Sequence, residues 1–540
     1  MNKCIASAAC AVLLVAAMSA HADRKKKAPM ACADLVQLSL PDTVIHSAVE
    51  TPAGPFPFGN NAPTCTADVA AAELRAFCRV IGTIAPQIGF EVWLPLEGWN
   101  GKFQGYGNHG FAGDLDYSDM GPELNKGYAV ASTDTGHLAS QNPPLWMQNP
   151  QQVIDYGYRG VHEMTVKSKA IVKAFYGRSP KYSYFNGCST GGKEGLMQAQ
   201  RYPEDYDGIN IGGSANFDQI GNRVQYVWNG QVTFANPAAR LAGATLLLIN
   251  NAVLAECDEL DGVKDGVIDD PRTCTFQPAS LLCRAGQDPA TCLTQTQITA
   301  LENVYQGPRN PRTGKEIYPG LVRGSERGWG GHTAGPNIFA TADQFFKYMV
   351  YNDTTWDYRT FDFDSDLAYT RQHFSHLLDA LDPDLSAFRK RGGKLLFSHL
   401  WSSTTHTAIR SIQYYEDVAA RLHGRKHDRG ERFGKTQEFF RLFLAPSASG
   451  SNGPDKFDAL PYLERWVEQG IAPQSILAWH KTAGVVDRTR PLCPYPQRAV
   501  YQGSGSTDDA ANFKCRDPDR KKGHRDHDHH DDDDDDDDDD

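Results

Sequence analysis

The chain has 540 residues, 40% of them hydrophobic, and a formal net charge of −12. That length exceeds one ordinary core, and the composition is globular, which excludes a fibrous or wholly disordered chain. Residues 516–540 hold five Lys/Arg against fourteen Asp and so carry −9 of the charge; the body is near −3, with no basic surface that argues for nucleic acid.

The first element in chain order is a leader. Lys3, an apolar run from Ile5 to Ala17 and then Ala20-His21-Ala22 make the three parts of a secretory signal, with cleavage expected after Ala22. The run is short for a membrane anchor and no second spanning run is expected, so residues 1–22 read as a signal peptide and the protein as secreted or periplasmic. Export permits disulfides. Cys4 and Cys10 leave with the signal, and spacing alone does not pair the ten cysteines that remain. Arg24-Lys25-Lys26-Lys27 reads as a solvated terminus.

Residues 23–213 alternate strand-like pieces such as Gly127–Ser132 with helical ones such as His162–Phe175, the signature of a doubly wound sheet. Within them Tyr184-Phe185-Asn186-Gly187-Cys188-Ser189-Thr190-Gly191-Gly192 reads as a strand entering a glycine-framed turn. Gly187, Ser189 and Gly191 form Gly-x-Ser-x-Gly, which presents the serine at a sharp strand-to-helix corner. Three matching positions alone are equally a structural turn. The helix formers from Lys193 to Gln200 supply the helix whose N-terminus would help hold an oxyanion.

The longer string Asn186-Gly187-Cys188-Ser189-Thr190-Gly191-Gly192 resembles the tannase and feruloyl esterase family. So do Gly105-Tyr106-Gly107-Asn108-His109-Gly110-Phe111-Ala112-Gly113, Ser132–His137 and Arg490–Pro496. The resemblance implies a secreted α/β-hydrolase with a large inserted lid domain, acting on aromatic esters through Ser189. The backbone N–H groups of Thr190 and Gly110 would form the oxyanion hole. It also implies four disulfides: Cys32 with Cys78, Cys257 with Cys274, Cys283 with Cys292, and Cys493 with Cys515. Cys65 and Cys188 remain without assigned partners, and Cys188 is expected free or abnormally paired.

Residues 214–383 lose the strand–helix alternation and become polar, glycine-rich and aromatic, which matches the family's lid. Phe345, Phe346, Tyr348, Tyr351 and Trp356 either pack as core or line an aromatic acyl pocket. Cys257–Asp269 spaces its acids by three and four residues with glycines between, which suits a hard cation wanting six to eight oxygens, although an acidic surface turn has the same look. The resemblance implies a structural calcium ion there, with carboxylates from Asp258, Asp261 and Asp265 and carbonyls from Val263 and Val267.

Residues 384–516 return to strand–helix texture at Gly393–His399 and Ala408–Leu422 and complete the hydrolase domain. A serine nucleophile needs a histidine base and an acid that holds its tautomer. Where the family has its aspartate, this chain has Ser403; where the family has a His-Cys loop, this chain has Ser447–Pro454, with neither residue. Two histidines are candidate substitutes, His406 after the strand that should carry the acid and His109 on the oxyanion loop, each equally readable as a structural histidine. The final segment, 517–540, is a low-complexity His/Asp tail that reads as disordered and solubilising, with weak cation capture the other use of its composition. Two functions follow: a serine carboxylic ester hydrolase on aromatic esters, or a hydrolase-like protein that binds aromatic acids or esters without turnover. The expected partner is a small aromatic ester or phenolic acid, with no membrane anchor.

Overall fold

The computed structural model describes residues 28–57, 73–424, 427–446 and 453–517. The signal peptide, Cys65, most of the loop 447–454 and the tail beyond Asp517 lie outside the described residues.

Nine strands make one sheet: β1 (Thr43–Thr51), β2 (Phe77–Ile84), β3 (Ile88–Pro95), β4 (Lys102–Tyr106), β5 (Ala129–Thr133), β6 (Tyr182–Ser189), β7 (Gly208–Ala215), β8 (Lys394–Leu400) and β9 (Phe440–Ala445). Their order is β1-β2-β3-β5-β4-β6-β7-β8-β9. The first three are joined to each other and to β5 in antiparallel fashion, and from β5 to β9 all pairs are parallel. Parallel strands need crossovers and must be covered on both faces, which accounts for the runs of fully buried residues in β5 and β9.

The helices are α1 (Tyr117–Asn125), α2 (Gly160–Tyr176), α3 (Thr190–Arg201), α7 (Ala408–His423) and α8 (Leu460–Gln469), which cover the sheet, and α4 (Gln219–Val232), α5 (Ala244–Cys257) and α6 (Ser365–Leu378), which lie between β7 and β8 in sequence. One core packs Val172 of α2, Leu196 of α3 and Tyr415 of α7 against Val92, Ile211 and Phe397. The opposite core packs Leu124 of α1 and Trp466 of α8 against Tyr184 and Phe443. With helices on both faces, the molecule is a doubly wound α/β-hydrolase.

β7 and β8 are neighbours, pairing Ile209 with Leu395, although some 180 residues separate them; the lid is the excursion between them. It shares one core with Trp146, Met147 and Tyr156 of the preceding part and builds a second of its own. Phe345 and Phe346 are buried in one, where Phe346 stacks with Trp356 at 4.9 Å, so these rings serve packing. The other gathers Leu246, Ile249 and Val253 of α5 with Leu301 and Trp329. The stretch Pro237–Asp261 is long and apolar enough to cross a membrane, contrary to the expectation of no second such run. Its inward residues are nonetheless spent on this lid core, and its C-terminal end is tied down by Cys257–Cys274. All four disulfides implied by the resemblance are formed: Cys32–Cys78, Cys257–Cys274, Cys283–Cys292 and Cys493–Cys515.

Candidate active site

β6 delivers Ser189 to the C-terminal edge of the sheet, and α3 begins at the next residue. Ser189 has φ 54° and ψ −120°, a left-handed conformation that costs a non-glycine residue about 1–3 kcal/mol. The turn is tight because glycines let three backbones meet. A Cβ on Gly187 would lie 2.6 Å from the Gly191 carbonyl oxygen, and one on Gly107 would lie 2.5 Å from the Gly191 Cα.

The loop after β4 is fastened to this corner. The Gly191 N–H donates to Asn108 O at 2.7 Å, and the Thr190 hydroxyl donates to Gly110 O. Thr190 opens α3, so its N–H is one of the four that no helix carbonyl accepts, and it faces the same corner as the Gly110 loop. Glu194, fully buried, accepts the Asn108 N–H at 2.8 Å; burial pushes its carboxyl pKa up. Asn108 Nδ2 donates to Asp114 O and Thr133 O. His137 Nε2 donates to Phe111 O at 2.7 Å while its ring stacks on Trp146, and burial lowers its pKa to about 4. Glu194, Asn108 and His137 were not singled out from sequence; the only signal was their polarity inside otherwise matching strings.

The two candidate bases have opposite environments. His109 is 33% exposed in its side chain, with Nε2 3.2 Å from Asp116 Oδ2 and Nδ1 3.9 Å from Cys188 Sγ. Burial works against its protonated form, but the hydrogen bond and charge of Asp116, with Asp119 and Glu194 behind it, prevail and raise its pKa. Asp119, beside Asp116, is itself raised to about 7 by burial and that neighbour. The ligand atoms of His109, Asp116 and Asp119 fall within 4.8 Å of one another. Asp116 Oδ1, however, already accepts from the Asp119 N–H and the Ser118 hydroxyl, so we read this group as a hydrogen-bonded His–Asp pair. His406 is buried on the loop after β8, where burial, then Arg223, His399 and His332, drive its pKa well below 6.5. His399 donates through Nε2 to the His406 carbonyl at 2.9 Å. Ser403 is buried beside it, its Oγ 3.5 Å from the His406 N–H.

Among the described residues no hydrogen bond joins the Ser189 hydroxyl to either histidine. Cys188 is disulfide-bonded, so of the two expectations, a free thiol or an abnormal pairing, the free thiol is overturned. Its partner is none of the other eight described cysteines, which pair among themselves.

In the lid, Asp258 Oδ1 accepts the N–H groups of Asp265, Gly266 and Val267 at 3.0–3.2 Å. Asp261 accepts those of Val263 and Asp269. Asp265 pairs with Arg490 at 2.6 Å and Arg488 at 3.5 Å. Burial raises Asp261 to about 6 and, joined by repulsion from Asp261, raises Asp269 to about 7. Of Asp258, Asp261, Asp265 and Asp269, only Asp265 is ion-paired among the described residues, and the carboxylates of Asp258 and Asp261 are turned onto the loop's own N–H groups. Asp269 joins the three acids read from sequence.

The family model described as tannase and feruloyl esterase matches residues 71–516. An uncharacterized esterase of Xanthomonas campestris pv. campestris is 39% identical over 91% of this chain and 92% of its own. The mono(2-hydroxyethyl) terephthalate hydrolase of Piscinibacter sakaiensis is 33% identical over 84% and 87%. The crystal structure of feruloyl esterase B from Aspergillus oryzae superposes with a TM-score of 0.79 at 29% identity, covering 89% of this chain and 98% of that one. On likeness of this extent, in sequence and in structure, the chain belongs to the tannase and feruloyl esterase family.

Proposed function

We propose that the protein is an exported serine ester hydrolase acting on small aromatic esters, with Ser189 as nucleophile and His109, oriented by Asp116, as base. The observation that carries this reading is the strained φ of Ser189 at the strand–helix corner. Such a conformation persists where the surroundings enforce it, as a nucleophile elbow does. A relative that hydrolyses mono(2-hydroxyethyl) terephthalate and a structural neighbour that is a feruloyl esterase support an aromatic acyl group.

Asp116 accepts the Nε2 proton of His109, and Nδ1 lies 3.9 Å from the Sγ of Cys188, the residue before the nucleophile. A turn of the ring toward Ser189 lets Nδ1 take the hydroxyl proton as Oγ attacks the acyl carbon; such contacts often tighten only with substrate bound. The tetrahedral oxyanion is held by the Thr190 and Gly110 N–H groups, and the imidazolium returns its proton to the departing alcohol. Water then repeats the sequence on the acyl-enzyme. Asp258, Asp261, Asp265 and Asp269, with the Val263 and Val267 carbonyls, would hold a structural calcium ion that cross-braces the lid loop. Four disulfides fit an oxidising compartment, periplasmic or extracellular.

A second reading, binding without turnover, is favoured by one observation: the Ser189 hydroxyl has no hydrogen bond to a histidine among the described residues. Hydrolysis of methyl ferulate, methyl gallate and a p-nitrophenyl ester, with labelling by a serine-directed phosphonate, separates the two. Turnover lost in Ser189→Ala and His109→Ala supports the hydrolase; binding of ferulate with neither turnover nor labelling sinks it.

A further inference from the structure

The side of α1 nearest His109 is acidic. Asp116 caps the helix, and Asp119 and Glu123 follow at spacings of three and four, which puts the three acids on one face. Positive charge is in short supply there. Among the described residues Asp116 pairs with His109 and Glu123 with Lys126, while Asp119 has no ion pair. Tyr106, at the end of β4, is 1% exposed, and its hydroxyl has no hydrogen-bond partner among the described residues; the charges of Glu123, Asp119 and Asp116 all act on it. An orphaned buried hydroxyl among acids marks a place that suits a cation.

His109 Nε2 and Asp116 Oδ2 are 3.2 Å apart, and tetrahedral zinc, with bonds of about 2.0–2.1 Å, spaces its ligand atoms by about 3.3 Å. The gap that a proton bridges in the resting pair therefore also fits the metal. Asp116 keeps Oδ1 on the Asp119 N–H and the Ser118 hydroxyl, which holds Oδ2 toward the ring. Ligand atoms of His109, Asp116 and Asp119 fall within 4.8 Å of one another, a span that rotation of the Asp119 carboxyl closes. The His109 side chain is 33% exposed, which gives the ion a way in and water a fourth position. Cys188 Sγ, 3.9 Å from Nδ1, is held in a disulfide and offers no thiolate. One imidazole with two carboxylates suits zinc, whereas calcium and magnesium want oxygen alone.

We propose that His109, Asp116 and Asp119 form a zinc site beside the elbow, holding the ion through Nε2, Oδ2 and one Asp119 oxygen, and that an ion bound there shuts off the ester chemistry. The ring then gives its Nε2 lone pair to the metal and carries its proton on Nδ1, the nitrogen that would take the proton of Ser189. Binding stands on these residues alone; only the inhibition rests on the reading of His109 as base.

The full chain, in saturating calcium so that the lid loop is occupied, is titrated calorimetrically with zinc chloride beside His109→Ala and Asp119→Asn. All three proteins keep the His/Asp tail, so its zinc uptake cancels in the comparison. One site present in the parent is expected to be lost in His109→Ala and weakened at least about tenfold in Asp119→Asn. Asp119→Asn is isosteric and keeps the helix cap, so it serves if His109→Ala does not fold. The same isotherm for all three proteins overturns the site. Turnover of methyl ferulate is scored separately: zinc should inhibit the parent, a zinc-selective chelator should restore it, and Asp119→Asn should need at least about tenfold more zinc. Zinc binding that depends on both residues in a protein without turnover upholds the site and removes the hydrolase reading. Turnover indifferent to zinc bound at His109 upholds the site and removes His109 as base.

Discussion

His109 and Asp116 come from the two ends of one loop, and the raised pKa of the histidine is a property of the pair. A base must be neutral to accept the serine proton, so kcat/KM should rise with pH through the His109 pKa, giving an acid limb above 6.5. Among the described residues, Asp116, Asp119, Glu194 and Cys188 face that ring. With His406 as base the limb would lie well below 6.5, because burial holds it neutral. Asp116→Asn separates charge from structure. Asn still accepts the Asp119 N–H at the start of α1, so melting should change little, while the acid limb moves down and kcat falls about tenfold or more. An unmoved limb in Asp116→Asn, read from a pH–rate profile, would show that the pair does not supply the base.

At the scale of elements, the site depends on backbones that approach as only glycines permit. Gly107→Ala would drive a methyl group against α3 at Gly191, costing about 1–3 kcal/mol of stability and spreading the oxyanion donors. Thermal melting and kcat measured together should both fall; melting that falls without kcat would mean the loop relaxes elsewhere. The lid loop gives a second expectation. Chelation with EGTA should lower the melting temperature, Asp261→Ala should abolish that response, and Cys257→Ser with Cys274→Ser should cost about 2–4 kcal/mol by freeing the loop between them. Ester turnover at a temperature where the protein stays folded should respond little, since these groups lie in the lid core and not at the elbow.

For the whole molecule, the two sides of the sheet and the lid were readable because strand periodicity, glycine turns and cysteine positions are local patterns. The strand–helix corner at Ser189 and Thr190 was readable for the same reason. Asp116 was not: in sequence it is an ordinary helix-capping acid, and only the fold brings its second oxygen to His109. Glu194 was hidden similarly, as a charged residue on a helix that would pass for a surface position but is buried where helix and oxyanion loop meet. Cys188 raises the remaining question of connectivity. Mass spectrometry of a non-reducing digest should find Cys188 in a disulfide-linked peptide that contains none of the other eight described cysteines; an alkylated Cys188 would contradict it.

The left-handed backbone at Ser189 bears on how the protein trades durability for chemistry. Glycine adopts that conformation without the steric penalty a side chain incurs, although it gives back about 0.5–1 kcal/mol through the greater freedom of the unfolded chain. Ser189→Gly should therefore melt higher than Ser189→Ala, even though both lose the hydroxyl. The gap between those two inactive variants gauges how far the surrounding scaffold is tensioned to hold one oxygen in place.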